Sequence, residues 1–270
     1  MFELLAIFTF ILGTIIGSFL NVVSLRMKTG RSINGRSFCF SCGKTLGALE
    51  LVPVISFLVL SGKCKKCNSK ISAQYIGVEL ITGFVFLCVF LKYFSDLATL
   101  PFLTLTYYFT LFSILIVIGI YDLKHKIVPD ALAFWFATIS LLGLFYFKGF
   151  EYLFSYPGFL DLLAGPIFFT PFYLLWFFSD GRLIGLGDGK LAVGIGWMLG
   201  LVSGSSAIVL GFWIGAIFSL CLMFWSYIFR YKKIGLKSEI PFAPFMILGI
   251  LLSFIFEFDI LSLKIFLDIF

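Results

Sequence analysis

The chain has 270 residues, of which 61% are hydrophobic and 13% charged, with a mean hydropathy of +1.10 and a formal net charge of +6. Soluble globular chains carry nearer half apolar residues and about a quarter charged ones, so a soluble enzyme or binding module is excluded and a polytopic membrane protein is indicated. The basic residues are spread over several short loops, which argues against a nucleic-acid partner.

A helix needs about 20 mostly apolar residues to cross a bilayer. Runs of that kind begin near Phe2, Ile76, Phe102, Val128, Pro157, Leu183, Ser205 and Pro241. The expected fold is therefore an all-α polytopic membrane protein of about eight transmembrane helices. The first run lacks a basic n-region, carries Glu3 and stays apolar until Arg26, so residues 1–25 are expected to persist as an anchor and not as a cleaved signal. Of the 20 Lys and Arg residues, 17 fall on one side of these spans, leaving Lys92, Lys148 and Lys264 on the other. Basic short loops stay cytoplasmic, which predicts that both termini lie outside.

Span one contains Gly13 and Gly17, a small-xxx-small pair that permits close helix approach, followed by Ser18 and Asn21 on one face near its cytoplasmic end. Residues 26–75 form the one sizeable soluble loop. It holds Cys39-Phe-Ser-Cys42 and Cys64-Lys-Lys-Cys67, and four thiolates on two such hooks suit tetrahedral zinc. Disulfides are disfavoured by the reducing cytosol that the charge bias implies. Gly43 and Asn68 follow the hooks and tolerate the left-handed conformation such knuckles need. Between the hooks, the apolar stretch 49–60 is too short to span and is expected on the membrane surface or re-entering shallowly, kinked at Pro53.

Residues 76–270 form the expected membrane-embedded core. Glu79 lies one turn into span two, where a buried carboxylate needs a partner or a proton. Span three ends with Tyr121-Asp122, and Pro129-Asp130 opens span four. Beside Lys124 and Lys126, Asp122 alone reads as a solvated loop charge. The stretch Gly185-Leu186-Gly187-Asp188-Gly189-Lys190 changes that reading, because it places Asp188 and Lys190 at the edge of an apolar run, where function is the default suspicion. Three alternating glycines are expected to loosen the helix and let the backbone approach a substrate strand. Topology puts Asp122 and Asp188 at the same membrane face. Two carboxylates sharing a cavity cannot both ionise cheaply, and such a pair performs the acid/base work of aspartic proteases. The glycine stretch is no nucleotide loop: Leu191 follows Lys190 where a P-loop needs Ser or Thr. One histidine, His125, leaves no Ser-His-Asp triad. The loop Arg230–Glu239 leads to Pro241-Phe-Ala-Pro244, a rigid entry to the last span, and the charged tail after Phe256 suggests an amphipathic helix on the outer surface.

Together, Gly17-Ser-Phe-Leu-Asn21, the paired hooks, Tyr75 with Val78-Glu79-Leu80, Asp122 through Asp130, Gly185 through Lys190 and Pro241 through Pro244 resemble the bacterial prepilin leader peptidases, membrane aspartic peptidases of the GxGD type. The resemblance implies a catalytic pair, Asp122 and Asp188, and a metal set, Cys39, Cys42, Cys64 and Cys67. Gly185, Gly187, Gly189, Lys190, Glu79, Asn21 and Asp130 are expected to support the site. It further implies a multi-pass protein of the bacterial cytoplasmic membrane that removes the basic leader of prepilins or pseudopilins on the cytoplasmic side. Many members then methylate the new N-terminus with S-adenosylmethionine. The competing readings are a presenilin-like or signal-peptide-peptidase-like protease cutting inside the span, and a proton-coupled transporter using both aspartates as carriers.

Overall fold

The computed structural model describes residues 2–27, 32, 34–93, 102–229 and 240–267, so the loop Arg230–Glu239 and Asp268 of the tail lie outside the described residues. Ten α-helices follow in chain order among them: α1 Phe2–Arg26, α2 Ile55–Val59, α3 Gln74–Tyr93, α4 Phe102–His125, α5 Asp130–Lys148, α6 Phe150–Leu153, α7 Gly158–Phe178, α8 Leu186–Phe229, α9 Ala243–Phe256 and α10 Leu263–Leu267. Six of them, α1, α3, α4, α5, α7 and α8, are long and apolar enough to cross a membrane. Contacts divide the chain into two compact units, Met1–Val117 and Ile118–Phe270.

In the first unit α1 packs on α3. Gly13 and Gly17 carry the contact: a Cβ on either would stand 2.8 Å from the Gly83 Cα or 2.9 Å from the Glu79 Cα. The small-xxx-small pair of α1 therefore serves packing within the chain. The Asn21 amide donates to the Tyr75 carbonyl at 3.1 Å, tying the end of α1 to the start of α3. Between them the stretch 49–60 does not span. It forms a 3₁₀ turn over Ala48–Leu51, passes Pro53, and closes as the short α2.

In the second unit α8 packs against α5, α7 and α9. This element of 44 residues contains Gly200 at φ 77°, ψ −176°, a backbone state open to glycine and closed to other residues. A straight helix would hold Asp188 and Ser219 about 46 Å apart, yet both line one cavity. The chain therefore turns back at Gly200. Asp161 of α7 secures the turn: its Oδ1 accepts the Leu201 N–H at 2.8 Å and its Oδ2 accepts the Lys148 ammonium at 2.6 Å. The runs expected from Leu183 and Ser205 are the two limbs of this hairpin, 186–199 and 201–229. The run at Pro241 gives α9, whose 14 residues reach about 21 Å. The eight expected spans thus stand against six long helices, one of them folded back, and this shorter one. Among the described residues the tail forms α10, five residues long, with Asp259 accepting the N–H groups of Leu263 and Lys264.

Candidate active site

The second unit carries a half-open cavity of about 1050 Å³. Asp122 on the last turn of α4 and Asp188 on the first turn of α8 both line it. Their exposures are only 4% and 9%, and they lie within electrostatic range of each other. Asp122 has a specific donor, since its Oδ2 accepts the Ala243 N–H at 3.1 Å. The local sequence explains why that donor is free. Pro244 has no N–H, while Phe245 and Met246 already donate to the Phe242 carbonyl. In the first turn of α9 this leaves Ala243 for an outside acceptor, at the positive end of the helix dipole. Asp188 stands in the first turn of α8 itself, three residues after Gly185, whose carbonyl accepts the Asp188 N–H.

The glycines depart from expectation. Helix α8 begins at Leu186, so Gly187 and Gly189 are helical and the stretch is not loosened. A Cβ on Gly187 would stand 2.8 Å from the Val128 Cβ, and one on Gly189 would stand 3.1 Å from the Phe172 Cβ. Both glycines therefore let α8 press on its own neighbours, Val128 against Gly187 among them, while Gly187 also lines the cavity. Gly185 lies outside the helix, exposed at the cavity wall.

Asp130 and Lys190 also line the cavity, joined by an ion pair of 2.7 Å. Glu79 and Asn21 belong to the first unit. There Glu79 is buried and its Oε2 accepts the Val54 N–H at 2.7 Å. The buried Asn21 keeps one amide oxygen without a partner. Sequence reading missed the Ala243 amide, the cation Arg182 at the cavity wall and the Asp161 brace. Only the first left a signal, in the two prolines around it.

The four cysteines of the first unit converge, with their sulfurs within 4.8 Å of one another. The two hooks repeat the same folding pattern 25 residues apart. Cys39 and Cys64 donate their N–H groups to Lys44 and Ser69, while Gly43 and Asn68 donate back to Cys39 and Cys64. Short bridges Phe38 to Thr45 and Lys63 to Lys70 complete the match. Gly43 and Asn68 take φ of 68° and 55°, the left-handed state expected of them. A tetrahedron of sulfurs at about 2.3 Å from zinc has edges of about 3.8 Å, and Cys39 Sγ to Cys67 Sγ is 3.8 Å. The Ser69 hydroxyl and nearby backbone N–H groups pull Cys39 down to about 6. Cys42 is favoured as thiolate by the Lys44 N–H, yet partial desolvation and the other three thiols push it up to about 11. Four thiolates crowded this closely require a cation, and the group fits a zinc-binding loop.

A polytopic helical protein holding two buried carboxylates at one partly polar cavity has the constitution of a membrane aspartic peptidase. Comparison with known proteins agrees. Residues 11–93 match the family model of the Bacterial Peptidase A24 N-terminal domain, and residues 109–220 match that of the Type IV leader peptidase family. Curated relatives include the prepilin leader peptidase/N-methyltransferase of Bacillus subtilis, 28% identical over 261 residues that cover 94% of this chain and 95% of the relative. The protein of the same name from Myxococcus xanthus is 31% identical over 199 residues, covering 72% and 56%. That from Aeromonas salmonicida is 29% identical over 218 residues, covering 78% and 68%. No solved structure matches the chain. The chain belongs to the type IV leader peptidase family.

Proposed function

We propose that this protein removes the basic leader of type IV prepilins or pseudopilins, with Asp122 and Asp188 as the catalytic pair. The observation that carries this reading is that the two aspartates, 66 positions apart in sequence, line one cavity. In the proposed cycle one carboxylate, unprotonated, draws a proton from a water molecule as that water attacks the scissile carbonyl. The other, protonated, donates to the carbonyl oxygen and afterwards a proton passes to the departing amine. Ala243 holds Asp122 in place through its N–H. Asp130 and Lys190, joined at the wall, support the site together with Gly185, Gly187 and Gly189.

The cavity is placed at the cytoplasmic face, with both termini outside. Lys126, Arg182 and Lys190 at its wall belong to the basic set that the charge rule retains in the cytosol. A leader would then meet the aspartates from the cytosol while its apolar helix stays among lipid and spans. Zinc is assigned a structural role at Cys39, Cys42, Cys64 and Cys67. The relatives' names include N-methyltransferase, and the same activity, with S-adenosylmethionine as donor, is proposed here as a second step. Glu79 and Asn21 are kept as supporting groups in the first unit.

The test is incubation of the purified enzyme and its Asp122→Asn and Asp188→Asn variants with a pilin-like peptide, with and without S-adenosylmethionine, followed by mass spectrometry. Both variants should insert normally and fail to cut. Cleavage by either one sinks the dyad, and a cut inside the apolar helix would favour a presenilin-like protease. The methyl mark is read in the same spectra.

A further inference from the structure

The stretch between the two hooks leaves five of its apolar side chains uncovered. Leu49 is 86% exposed and Val59 76% exposed, with Leu51, Ile55 and Leu58 also bare. On α2 the exposed residues Ile55, Leu58 and Val59 are spaced three and four apart and so share one face. Phe57 points elsewhere and covers Gly62. An apolar face of this kind in water marks a binding surface or an aggregation hazard.

Three observations identify what covers it. First, the loop hangs between two membrane helices, leaving α1 at Arg26 and re-entering at Gln74 of α3. Second, its height is fixed. The Val54 N–H is bound to Glu79 at 2.7 Å, and Glu79 lies about 8 Å along α3 from its start, inside the spanning segment. Val54 holds that position at φ 61°, a costly conformation for a β-branched residue, so the tie outweighs local preference. Third, a basic rim adjoins Leu49. It shares a surface cavity of about 520 Å³ with Lys65 and Lys66 and with Glu50, whose charge Lys44 neutralises at 2.7 Å, and Lys63 and Lys70 are exposed nearby in sequence. Apolar groups at the depth of the interface beside several lysines are the pattern of a segment lying in an anionic bilayer surface.

We infer that residues 48–60 form a monotopic anchor, with Leu49, Leu51, Ile55, Leu58 and Val59 immersed at the boundary between headgroups and acyl chains and Lys65 and Lys66 on anionic headgroups. Glu79 serves as the peg that sets its depth. The four-cysteine loop is thereby held flat on the membrane rather than free in the cytosol.

The full chain is reconstituted in phosphatidylcholine vesicles with about one quarter phosphatidylglycerol, and a genetically encoded fluorescent residue is placed at Leu58 or, as control, at the exposed Ser41. Lipid tails brominated near the headgroup should quench position 58 at least about two-fold more than position 41, and aqueous iodide should show the reverse order. Lys65→Glu combined with Lys66→Glu, or omission of phosphatidylglycerol, should reduce the bromolipid quenching. Equal access of iodide to both positions overturns the inference. So does shielding of position 58 that rises with protein density, which would mean that a second copy covers the face. The unaltered chain gives an independent measurement: a diazirine-bearing phospholipid should label residues 48–60, and labelling confined to α1 and α3 would also overturn it.

Discussion

At the scale of single residues, the most demanding contact in the candidate site is the one between Gly187 and Val128. The missing side chain lets the first turn of α8 close on the segment that opens α5, and Asp188 is the next residue along. Gly187→Ala pushes a methyl to 2.8 Å from the Val128 Cβ, so α8 must shift. A misplacement of about 1 Å costs up to about 100-fold in rate, and a loss of about 10- to 100-fold in kcat is expected with the protein still inserted. Val128→Ala in the same chain should restore most of it. Failure of that rescue would show that Gly187 is needed for something other than room. By contrast Asp130→Asn removes one partner of a half-exposed ion pair, where stability changes of about 0 to 1 kcal/mol are usual. Its thermal midpoint in detergent should stay close to that of the parent.

At the scale of elements, the hairpin of α8 depends on one carboxylate. Asp161→Ala leaves the Leu201 N–H without its acceptor and Lys148 without its carboxylate, and a loss of about 1 to 3 kcal/mol is expected, read as a lower unfolding temperature. Gly200→Ala should be worse, because it meets both a positive φ and the Asp161 carboxylate. The four-cysteine loop makes a separate prediction about pH. Zinc must displace whatever protons the thiols hold. Cys39 is poised at about 6 and Cys42 at about 11, so Cys42 keeps its proton at neutral pH while Cys39 has mostly lost its own. Apparent zinc affinity should fall with pH already near neutrality, where Cys42 must shed its proton, and more steeply below about 6, where Cys39 also protonates. Proton release on zinc addition should therefore be larger at about pH 5.5 than at pH 7.5, measured by calorimetry in buffers of different ionisation enthalpy.

At the scale of the whole molecule, what could be read from the letters depended on how local each determinant is. The zinc hooks were legible down to Gly43 and Asn68, because each is built from residues adjacent in sequence. Asp188 was legible because a charge stands out in an apolar run. Asp122 resembled a loop residue and acquired meaning only through its distant partner. The Ala243 donor is a backbone amide, which no letter encodes, although the flanking prolines mark the place. Asp161 was not singled out, since its role exists only once the chain has folded back on Gly200. The close packing at Gly187 was hidden for the same reason: its neighbour, Val128, lies 59 positions earlier. Orientation remains a matter of charge bias, and cysteines placed near residue 3 and near residue 126, probed with an impermeant maleimide in intact cells, should label only at the first.

The reversal at Gly200 also bears on how this enzyme is made. The limb that carries Asp188 runs from 186 to 199, about 21 Å of helix, while the hydrocarbon core is about 30 Å thick. Such a limb is a poor candidate for threading into lipid alone. The two limbs are therefore expected to enter the bilayer as a pair, after residues up to about the middle of the second limb have been synthesised. One carboxylate of the cavity is thus held back until the following helix has been synthesised, so that a nascent chain cut short before that point would carry Asp122 in an assembly with no counterpart.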